Sequence, residues 1–560
     1  VLPRHQTLYA MIDWSFKLLS SDEQRVLSRL SMLVGPFTLD EARSIAGELM
    51  DYRWSVDDII ATLIDKSLVA IAPAAAFSYR LLDTTRAYAA VRLIERGEHQ
   101  VVARRHALCM LDVLEKLKGE RPVASEKTVP AYIGYFSNVR KALSWCFTKP
   151  GEPSIGVELA ASAAPLFLGL SLFEECKKWS QTALNALNET NSGKQIELDL
   201  IGALAISLIY THSDQREMEL AMGRAIELAD ILSDHRLRLY LLAGQKDWFT
   251  RRGNIFAALN VAKRAAKVAE QFGGVPERVL AEWILGNSYH FAGDSAAALR
   301  HTQQGFSLFK DVPVERLDYF GQDARVKAQL TVSLNLWSCG FREQACNLAR
   351  ELIEQAATYE HPVLYCISIL RSVPVLLGSG RLDGVEEAIE LAIQRATRYS
   401  LPAYQLTGLA LKGELMLARN DANAAVMTLK EAIDALLAVQ YHIPLAPASY
   451  HLADALRQLG FLTEAEDVID AALLRADHME TAGDLFWGPQ LLRAKGEILA
   501  SDPDLDISLG EATLLDAIEA ARRQSALSWE LRAALPLARQ WIGVGKREDA
   551  RELLEGIYGR

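Results

Sequence analysis

The sequence lacks the features of a secreted, membrane-spanning or strongly basic protein. Lys and Arg number 60 against 71 Asp and Glu, a formal net charge of -11, so there is no global electrostatic footprint for nucleic acid or an anionic membrane. No apolar run approaches the roughly 18 residues that a membrane-spanning helix needs, and the N-terminus shows no signal-peptide pattern. We expect a cytoplasmic protein without a membrane partner.

Cysteine, proline and glycine are also sparse. With 18 Pro, 34 Gly, 50% hydrophobic and 23% charged residues in 560, the composition is typical of a helical protein built of several domains or repeats. Without a CxxC pair or histidines at zinc-ligand spacing, the cysteines indicate reduced, buried thiols and no metal site. They are Cys109, Cys146, Cys176, Cys339, Cys346 and Cys366.

Patterns of catalysis are missing as well. There is no HExxH pair, nucleophile elbow or GxxxxGK[ST] phosphate loop; the nearest stretch, GVGKRED from Gly543, lacks the upstream Gly and has Arg547 where Ser or Thr is needed. The histidines are scattered over separate segments. We therefore expect no enzyme activity, no catalytic residue and no cofactor bound by this chain.

The first hundred residues predict helices followed by a hairpin. Apolar residues recur at helical spacing in the first 19 residues, Ser21 opens a second helix, and a third has Thr38 as its N-cap and stops near Gly47. VDDIIATLIDKSL reads as a fourth helix. SLVAIAP and FSYRLLD read as short strands joined by a turn at residues 73–76. This order is the layout of a winged helix.

The runs RHQTLYAMIDWSFKLLSSDEQRVLSRLSMLVGPFTLDEA, LIDKSLV and YRLLDTTRAYAAVRL, in this order, resemble the winged-helix segment of bacterial STAND-class, NB-ARC-like transcriptional regulators. FSNVRKALSWCF resembles the "DNxRxALxW" helix that follows it in these regulators. The resemblance implies an N-terminal DNA-binding domain and an ATPase that binds ATP or ADP, both absent from this chain. Val1 is then expected at a boundary near the ATPase junction.

In related proteins a Met-His-Asp motif at the end of the winged helix touches ADP. The matching stretch here is Leu81-Leu82-Asp83, followed by Arg86. Because Leu82 replaces His, nucleotide contact is not carried over, and the resemblance implies only that Asp83 and Arg86 lie at the interface with the ATPase.

The charge of this module argues against DNA contact. Residues 1–100 hold 11 Lys and Arg against 13 Asp and Glu, and the helix before the hairpin carries Asp57, Asp58 and Asp65 against Lys66. A helix that enters the major groove is expected to present cations and donors. We expect no direct DNA binding by this part of the protein.

The rest of the chain repeats itself. Turn-like residues lie between an apolar and an Ala-rich helix at spacings of 40, 47, 40, 40 and 40 residues, and a further one follows after 85, which fits two more units. They are Gly253, Gly293, Gly340, Gly380, Asn420, Gly460 and Gly545. Small residues at tetratricopeptide spacing allow close helix approach, at Gly286 and Ala298, Gly413 and Ala425, and Ala453 and Ala465. The closing stretch, from LLRAKGEILA onward, resembles the C-terminal end of the same regulators.

The chain is therefore predicted to be all-α. Residues 1–100 form a winged-helix module with a small β-hairpin, residues 101–190 a helical linker, and residues 191–560 an α-solenoid of tetratricopeptide-like helix pairs that acts as sensor.

The first helix of each pair lines the concave face of such a solenoid. Counting six residues back from the turns places these residues on that face: Asp247, Asn287, Leu334, Pro374, Glu414, Asp454 and Arg539. With Gly496 as the small residue of a further pair, Glu497 joins them. Neighbouring positions add Trp283, His290, Trp337, Tyr450, Arg457 and Arg493. Aromatic rings beside carboxylates and guanidinium groups suit a polyhydroxylated, cationic or peptide ligand. The alternative is that the polar stripe is a solvated helix face and that the tryptophans are packing residues.

The sequence thus predicts the regulatory half of a STAND-type transcriptional regulator. Its partners would be its own N-terminal ATPase and DNA-binding domains, a small-molecule or peptide effector, and further copies of itself in a homo-oligomer on activation. Two alternatives stay open: a protein-interaction scaffold without a small-molecule ligand, and the regulatory half of a cyclase-linked ATPase.

Overall fold

The structure is a computed structural model that describes residues 3–47, 55–72, 79–120, 134–187, 194–211, 214–312, 317–319, 322–477, 485–502 and 506–559. The chain divides into two compact units, Val1–Ser207 and Leu208–Arg560. The finer division at residues 100 and 190 stays a prediction.

The first unit begins with short helices and a small sheet. Its elements are α1 (Pro3–Lys17), α2 (Ser21–Leu30), β1 (Pro36–Phe37), α3 (Leu39–Ala46), α4 (Val56–Asp65), β2 (Ala70–Ile71), β3 (Tyr79–Arg80) and α5 (Asp83–Glu95). The strands are antiparallel in the order β1-β3-β2, so β3 pairs Tyr79 with both Phe37 and Ile71. The predicted helices and hairpin strands are confirmed, and β1 is an additional strand that the sequence did not predict.

The start of each short helix is fixed by its own side chains. The predicted capping box of α3 is present, with the Glu41 backbone N–H donating to Thr38 Oγ1 at 3.3 Å. α2 also begins with a capping box, but the N-cap is Ser20, one residue before Ser21, with which the helix was predicted to begin. Gly47 ends α3 with φ of 63°, as predicted for a stop. The predicted turn at 73–76 lies outside the described residues.

Four longer helices follow in the first unit: α6 (His99–Glu120), α7 (Phe136–Cys146), α8 (Pro153–Gly169) and α9 (Phe173–Asn185). The α7 residue Asn138 joins three segments. Its Oδ1 accepts from the Val34 backbone N–H at 2.8 Å, its Nδ2 donates to Val34 O at 3.0 Å, and Oδ1 lies 3.1 Å from His106 Nε2 on α6. Burial lowers the pKa of His106 to about 4, so the imidazole is neutral and donates to Asn138.

Helices α10 (Gln195–Tyr210) and α11 (Gln215–Ile231) precede eight antiparallel pairs in the second unit. The first four pairs are α12 (His235–Arg251) with α13 (Ile255–Phe272), α14 (Val275–Phe291) with α15 (Ser295–Leu308), α16 (Ala324–Ser338) with α17 (Arg342–Ala356), and α18 (Pro362–Gly378) with α19 (Val385–Arg398). The last four are α20 (Pro402–Ala418) with α21 (Ala422–Ala438), α22 (Leu445–Gln458) with α23 (Leu462–Asp477), α24 (Gly488–Ser501) with α25 (Ile507–Arg523), and α26 (Leu527–Gly543) with α27 (Arg547–Tyr558). Short 3-10 turns lie at Phe309–Asp311 and Leu485–Trp487, and β4 (Asp318–Tyr319) pairs with β5 (Gln322–Asp323). The predicted helix-pair solenoid is confirmed.

The turn within each pair lies where the sequence placed it. All seven predicted turn residues have φ between 65° and 98°, the left-handed region that favours Gly and Asn. The link between the two helices of the seventh pair includes residues 503–505, which lie outside the described part. Small residues permit close approach as expected: a Cβ at Gly413 would lie 2.6 Å from Leu429 Cγ, and one at Gly496 would lie 2.7 Å from Leu514 Cγ.

The solenoid closes on itself within the second unit. The His442 backbone N–H, after the fifth pair, donates to Arg251 O in the first pair at 2.7 Å. The third and fourth pairs contact the eighth, because the Trp337 and Trp529 rings lie 6.1 Å apart and Arg532 donates to Gly378 O. The concave face that the sequence predicts is therefore partly covered.

The cysteines are free, and all but the half-buried Cys339 are buried, as expected for reduced thiols. Among the described residues, no helix is long and apolar enough to span a bilayer. In the same part of the chain, no group of three His, Cys, Asp or Glu side chains is placed to hold a metal ion.

Candidate functional site

The covered space is a cavity on the inner side of the solenoid. It has about 1170 Å³ of empty space, part of it open to solvent. Its wall comes from the first helices of five successive pairs, α12, α14, α16, α18 and α20, and is closed by the segment around Tyr441–Pro447 and by Phe486 and Trp487. Six of the predicted inner residues line it: Asp247, Asn287, His290, Leu334, Pro374 and Glu414.

Asp247 is held by two lysines. Lys246 Nζ lies 2.6 Å from Oδ1 and Lys327 Nζ lies 3.1 Å from Oδ2. Burial opposes ionisation of Asp247, but the charges of Lys246 and Lys327 outweigh it and lower the pKa of the carboxyl group. Lys246 also donates to Asn287 Oδ1 at 2.7 Å. The carboxylate is thus neutralised by the protein and is no open site for a cationic ligand.

Arg251, one helical turn after Asp247, lies among three tyrosine rings. Its guanidinium carbon is 4.8 Å from the ring centre of Tyr210, 5.4 Å from that of Tyr404 and 4.9 Å from that of Tyr441. Nη1 donates to the Tyr404 hydroxyl at 3.0 Å. No carboxylate of the described residues lies within ion-pair distance of this guanidinium. Aromatic faces stabilise the cation without neutralising it.

Glu414 also lines the cavity and is almost fully buried. Its Oε2 lies 3.5 Å from His451 Nε2, a distance at which an ion pair is allowed. Burial, however, raises the pKa of Glu414 to about 8 and lowers that of His451 to about 4. Because burial disfavours both charges, the pair is neutral at pH 7 with the proton on Glu414.

His290 is also a neutral group in the wall. Asn335 Nδ2 lies 3.1 Å from His290 Nδ1, and since an amide N–H2 only donates, Nδ1 accepts. Burial, together with the charge of Arg371, lowers the pKa of His290 to about 3. The Arg371 guanidinium carbon lies 4.8 Å from the Phe291 ring centre in the same wall.

A second polar cluster lies beside the cavity on α22 and α24. It consists of five predicted ligand residues: Tyr450, Asp454, Arg457, Arg493 and Glu497. Arg493 donates to Glu497 Oε1 at 2.6 Å and to the Tyr450 hydroxyl, and Arg457 donates to Asp454 Oδ1 at 2.6 Å. The Tyr450 ring lies 6.2 Å from Trp487, which lines the cavity. The acids of this cluster are therefore already paired with guanidinium groups.

The remaining predicted ligand residues lie elsewhere. Trp283 is buried against Phe306 and Phe309, with ring centres 5.0 and 5.7 Å away. Trp337 is buried against Trp487 at 6.0 Å, and Arg539 is exposed on α26. These positions agree with the alternative of packing or surface roles, and ligand binding by these three residues stays a prediction.

Sequence reasoning missed the cations and tyrosines of the wall: Arg251, Lys327, Arg371, Tyr210, Tyr404 and Tyr441. One signal for the cations was available. Arg251 follows Asp247 by four residues, and Arg371 precedes Pro374 by three, which is the spacing of one helix face. Tyr441 precedes α22 and carried no periodic signal.

The predicted interdomain residues lie at the start of α5. Asp83 Oδ1 accepts from Arg86 Nη2 at 2.9 Å, and the Asp83 side chain is exposed. In α4, Asp57 pairs with Arg43 at 2.8 Å, and Asp58 caps the helix through Ser55. Asp57 and Asp58 therefore make contacts within the winged-helix module. The negative charge of α4 remains unfavourable for contact with phosphate groups.

Residues 19–94 match the family model described as a winged helix-turn-helix domain. This class commonly binds DNA, so the match favours DNA contact, whereas the charge of α4 disfavours it. The expectation of no direct DNA binding stays a prediction.

Curated relatives match a limited part of the chain. A Mycobacterium tuberculosis protein named as an HTH-type transcriptional regulator is 34% identical over 183 residues, 32% of this chain and 20% of that protein, and a Mycobacterium bovis protein gives the same values. An uncharacterised Mycobacterium tuberculosis protein is 36% identical over 103 residues, 18% of this chain and 26% of its own length. The chain thus spans about a fifth to a quarter of the length of these relatives.

Solved structures resemble the chain weakly. A STAND protein with a tetratricopeptide repeat sensor from Pyrococcus horikoshii aligns with a TM-score of 0.36 and 14% identity, over 74% of this chain and 63% of that one. A Rap protein in complex with competence and sporulation factor gives 0.38 and 11%, over 72% and 98%. Similarities of this strength carry no statement about function.

Proposed function

We propose that this chain is the sensory and coupling part of a STAND-type bacterial transcription regulator in the cytoplasm. An effector binds in the solenoid cavity, and the winged-helix unit relays its binding to an ATPase domain that holds ATP or ADP. The chain acts as a binding protein and catalyses no reaction itself. The cavity carries this proposal, because a covered space with an apolar wall and a few convergent polar groups is the usual form of a small-ligand site.

The closure of the solenoid favours a small effector over a protein partner. Contacts such as the bond between the His442 N–H and Arg251 O cover the concave face. A folded partner does not reach Arg251 or Glu414 without breaking them. A protein-interaction scaffold therefore has to bind its partner either after the solenoid opens or on the outer surface of the solenoid.

Relay requires a difference in affinity. An effector shifts the regulator toward its active state only as far as it binds that state more tightly, and equal affinity for both states shifts nothing. Because residues from the first helix pair and from the segments before the sixth and seventh pairs line the cavity, an effector there contacts elements whose separation changes if the solenoid opens. Homo-oligomerisation on activation is part of the same proposal.

Filling the cavity tests the proposal. Thr407 lines the cavity and its hydroxyl donates to Ala403 O at 2.7 Å. Thr407→Trp places an indole in the space, so small molecules that copurify with the chain, detected by native mass spectrometry, are expected to disappear. Thr397→Trp is the matched control, because Thr397 is exposed and makes the same kind of bond to Ile393 O at 2.9 Å. Loss of the bound molecule in both variants, or its presence in both, would refute the cavity as the site.

A further inference from the structure

The charged side chains in the cavity wall of the second unit have contacts within the protein. Asp247 lies between two lysines. Arg251 lies over three tyrosine rings, and Arg371 lies over the Phe291 ring. Because each of these charges is engaged by the protein, none of them identifies the ligand. Recognition of a ligand therefore falls to the uncharged polar groups and to the apolar surface of the wall.

Glu414 is a buried carboxyl group without a cationic side chain beside it. It lines the cavity from α20 and is only 5% exposed. Among the described residues, neither Lys nor Arg lies within ion-pair distance of it, and its partner is His451. An ionised carboxylate in such surroundings has a high desolvation cost, and burial raises the pKa of Glu414 to about 8. The group is therefore a neutral acid at pH 7, with an O–H that can donate.

The O–H of Glu414 has no acceptor at normal hydrogen-bond distance in the part of the chain that the structure describes. The 3.5 Å between Glu414 Oε2 and His451 Nε2 is longer than a normal hydrogen bond, which has about 2.5–3.2 Å between its heavy atoms. A buried donor without an acceptor is destabilising. An acceptor atom of a ligand in the cavity would therefore stabilise this group.

His290 presents a second neutral donor to the same cavity. Asn335 Nδ2 donates to Thr331 O at 2.7 Å, which fixes the orientation of the amide, and it lies 3.1 Å from His290 Nδ1. Nδ1 therefore accepts, and since burial keeps the imidazole neutral, the ring proton is on Nε2. Glu414 and His290 thus both select a ligand by its acceptor atoms.

The rest of the wall is largely apolar and aromatic. Leu330, Leu370 and Leu411 line it together with the rings of Phe486 and Trp487. Leu411 precedes Glu414 by three residues on α20, the spacing of one helix face, so apolar surface lies beside the acid. Removal of apolar ligand surface from water favours binding here. A ligand for this space therefore needs an apolar body and an acceptor atom.

We infer that the effector is an uncharged, largely apolar compound with a carbonyl oxygen that accepts a hydrogen bond from the Glu414 carboxyl group. This inference rests on the proposed function and specifies the ligand class of the same cavity. It departs from the cationic ligand that the inner acids suggested, because Asp247 is paired with lysines and Glu414 carries a proton. Ketones, esters and lactones have the required acceptor.

Three compounds with one ring system test the inference. 9-Fluorenone is uncharged and has a carbonyl oxygen, fluorene lacks this oxygen, and fluorene-9-carboxylate is an anion at pH 7. In equilibrium dialysis against the whole chain at pH 7, we expect one saturable site that binds fluorenone about tenfold more tightly than fluorene, as one hydrogen bond allows. The carboxylate is expected to bind more weakly than fluorenone, because burial of an anion costs desolvation.

An infrared spectrum reports the hydrogen bond directly. The carbonyl stretch of bound fluorenone is expected at a lower frequency than in cyclohexane, because a hydrogen bond weakens the C=O bond. An apolar cavity without a donor leaves this frequency unchanged.

Variants locate the donor. Glu414→Leu removes it and keeps an apolar side chain, so fluorenone is expected to bind about tenfold more weakly and fluorene to bind as before. Glu414→Gln retains N–H donors and is expected to keep most of the preference. Glu431→Leu is the control, because Glu431 is exposed on α21 and does not line the cavity. Should Glu414→Leu misfold, dialysis and the infrared spectrum of the unmodified chain still decide.

The outcomes separate the inference from the proposed function. Equal affinity for fluorenone and fluorene, or tighter binding of the carboxylate than of fluorenone, overturns the inference and leaves a small-molecule cavity. Absence of a saturable site for all three compounds overturns both. A fluorenone preference that Glu414→Leu retains in full, or that Glu431→Leu removes, overturns the inference as well.

Discussion

At the scale of single residues, the protonation state of Glu414 decides which charge this side chain contributes to the cavity wall. The sequence predicts an acid at this inner position, and the structure places it there. What the sequence does not contain is the burial that raises the pKa of the carboxyl group to about 8 and the neutral imidazole of His451 at 3.5 Å. Both effects come from residues brought together by folding.

The first prediction concerns this carboxyl group. Between its unfolded pKa of about 4.5 and its folded pKa of about 8, the folded state keeps a proton that the unfolded state has lost, so stability falls as pH rises. Relative to Glu414→Gln, the wild type is expected to lose up to about 1.4 kcal/mol per pH unit in this range. Urea unfolding of both proteins at pH 5, 6, 7, 8 and 9 measures the difference between their free energies of unfolding.

Glu431→Gln serves as the control for that measurement, since Glu431 is exposed on α21. Its difference from the wild type is expected to be independent of pH. A pH-independent difference for Glu414→Gln as well would show that Glu414 ionises normally. Protonation of His451, whose pKa is lowered to about 4, opposes folding as pH falls below 6.5 and affects all three proteins.

At the scale of elements, the short helices of the first unit are locally encoded. The capping boxes at Ser20, Thr38 and Ser55 each use a side chain three residues further on, so their signals lie within a few residues of sequence. Strand β1 was missed because two residues carry no periodicity, and its pairing depends on β3, more than 40 residues away.

The second prediction concerns α7. Asn138→Ala removes the hydrogen bonds to Val34 and His106 and leaves buried backbone groups without partners. We expect a loss of about 2 kcal/mol or more in the free energy of unfolding of the first unit, because each unsatisfied buried group costs about 1–3 kcal/mol. Asn347→Ala on α17, where the side chain is exposed, is expected to change stability by less than about 0.5 kcal/mol. Equal effects of the two substitutions in urea unfolding would contradict the bridging role of Asn138.

At the scale of the whole molecule, the relay that we propose uses the surface at the start of α5. Asp83 and Arg86 form an exposed ion pair, and exposed pairs contribute about 0–1 kcal/mol to stability. Their substitution is therefore expected to act on regulation and to leave folding intact, if this surface contacts the proposed ATPase domain.

The third prediction tests this surface. In a longer protein that includes the ATPase and DNA-binding domains, Asp83→Ala combined with Arg86→Ala is expected to raise effector-free transcription from a reporter promoter several-fold. Glu519→Ala with Arg523→Ala removes a comparable exposed pair on α25 and is expected to leave it unchanged. Unchanged basal transcription in the first double variant would remove Asp83 and Arg86 from the relay.

The sequence by itself determined the helix pairs and their turns. Helical periodicity, small residues at close contacts and left-handed turn residues such as Gly253 and Asn420 are local signals, and each acts within one repeat. They also placed Asp247, Asn287 and Glu414 on the inner face.

Only the tertiary structure decided that this face is partly covered and which of its acids are ionised. Closure joins pairs that lie about four repeats apart, as His442 does with Arg251, and it results from small rotations between successive pairs that no single repeat encodes. Once closed, the wall pairs Asp247 with Lys327 and buries Glu414 away from water. Burial and long-range pairing, which depend on distance in space, therefore hold Asp247 ionised and keep Glu414 protonated at pH 7.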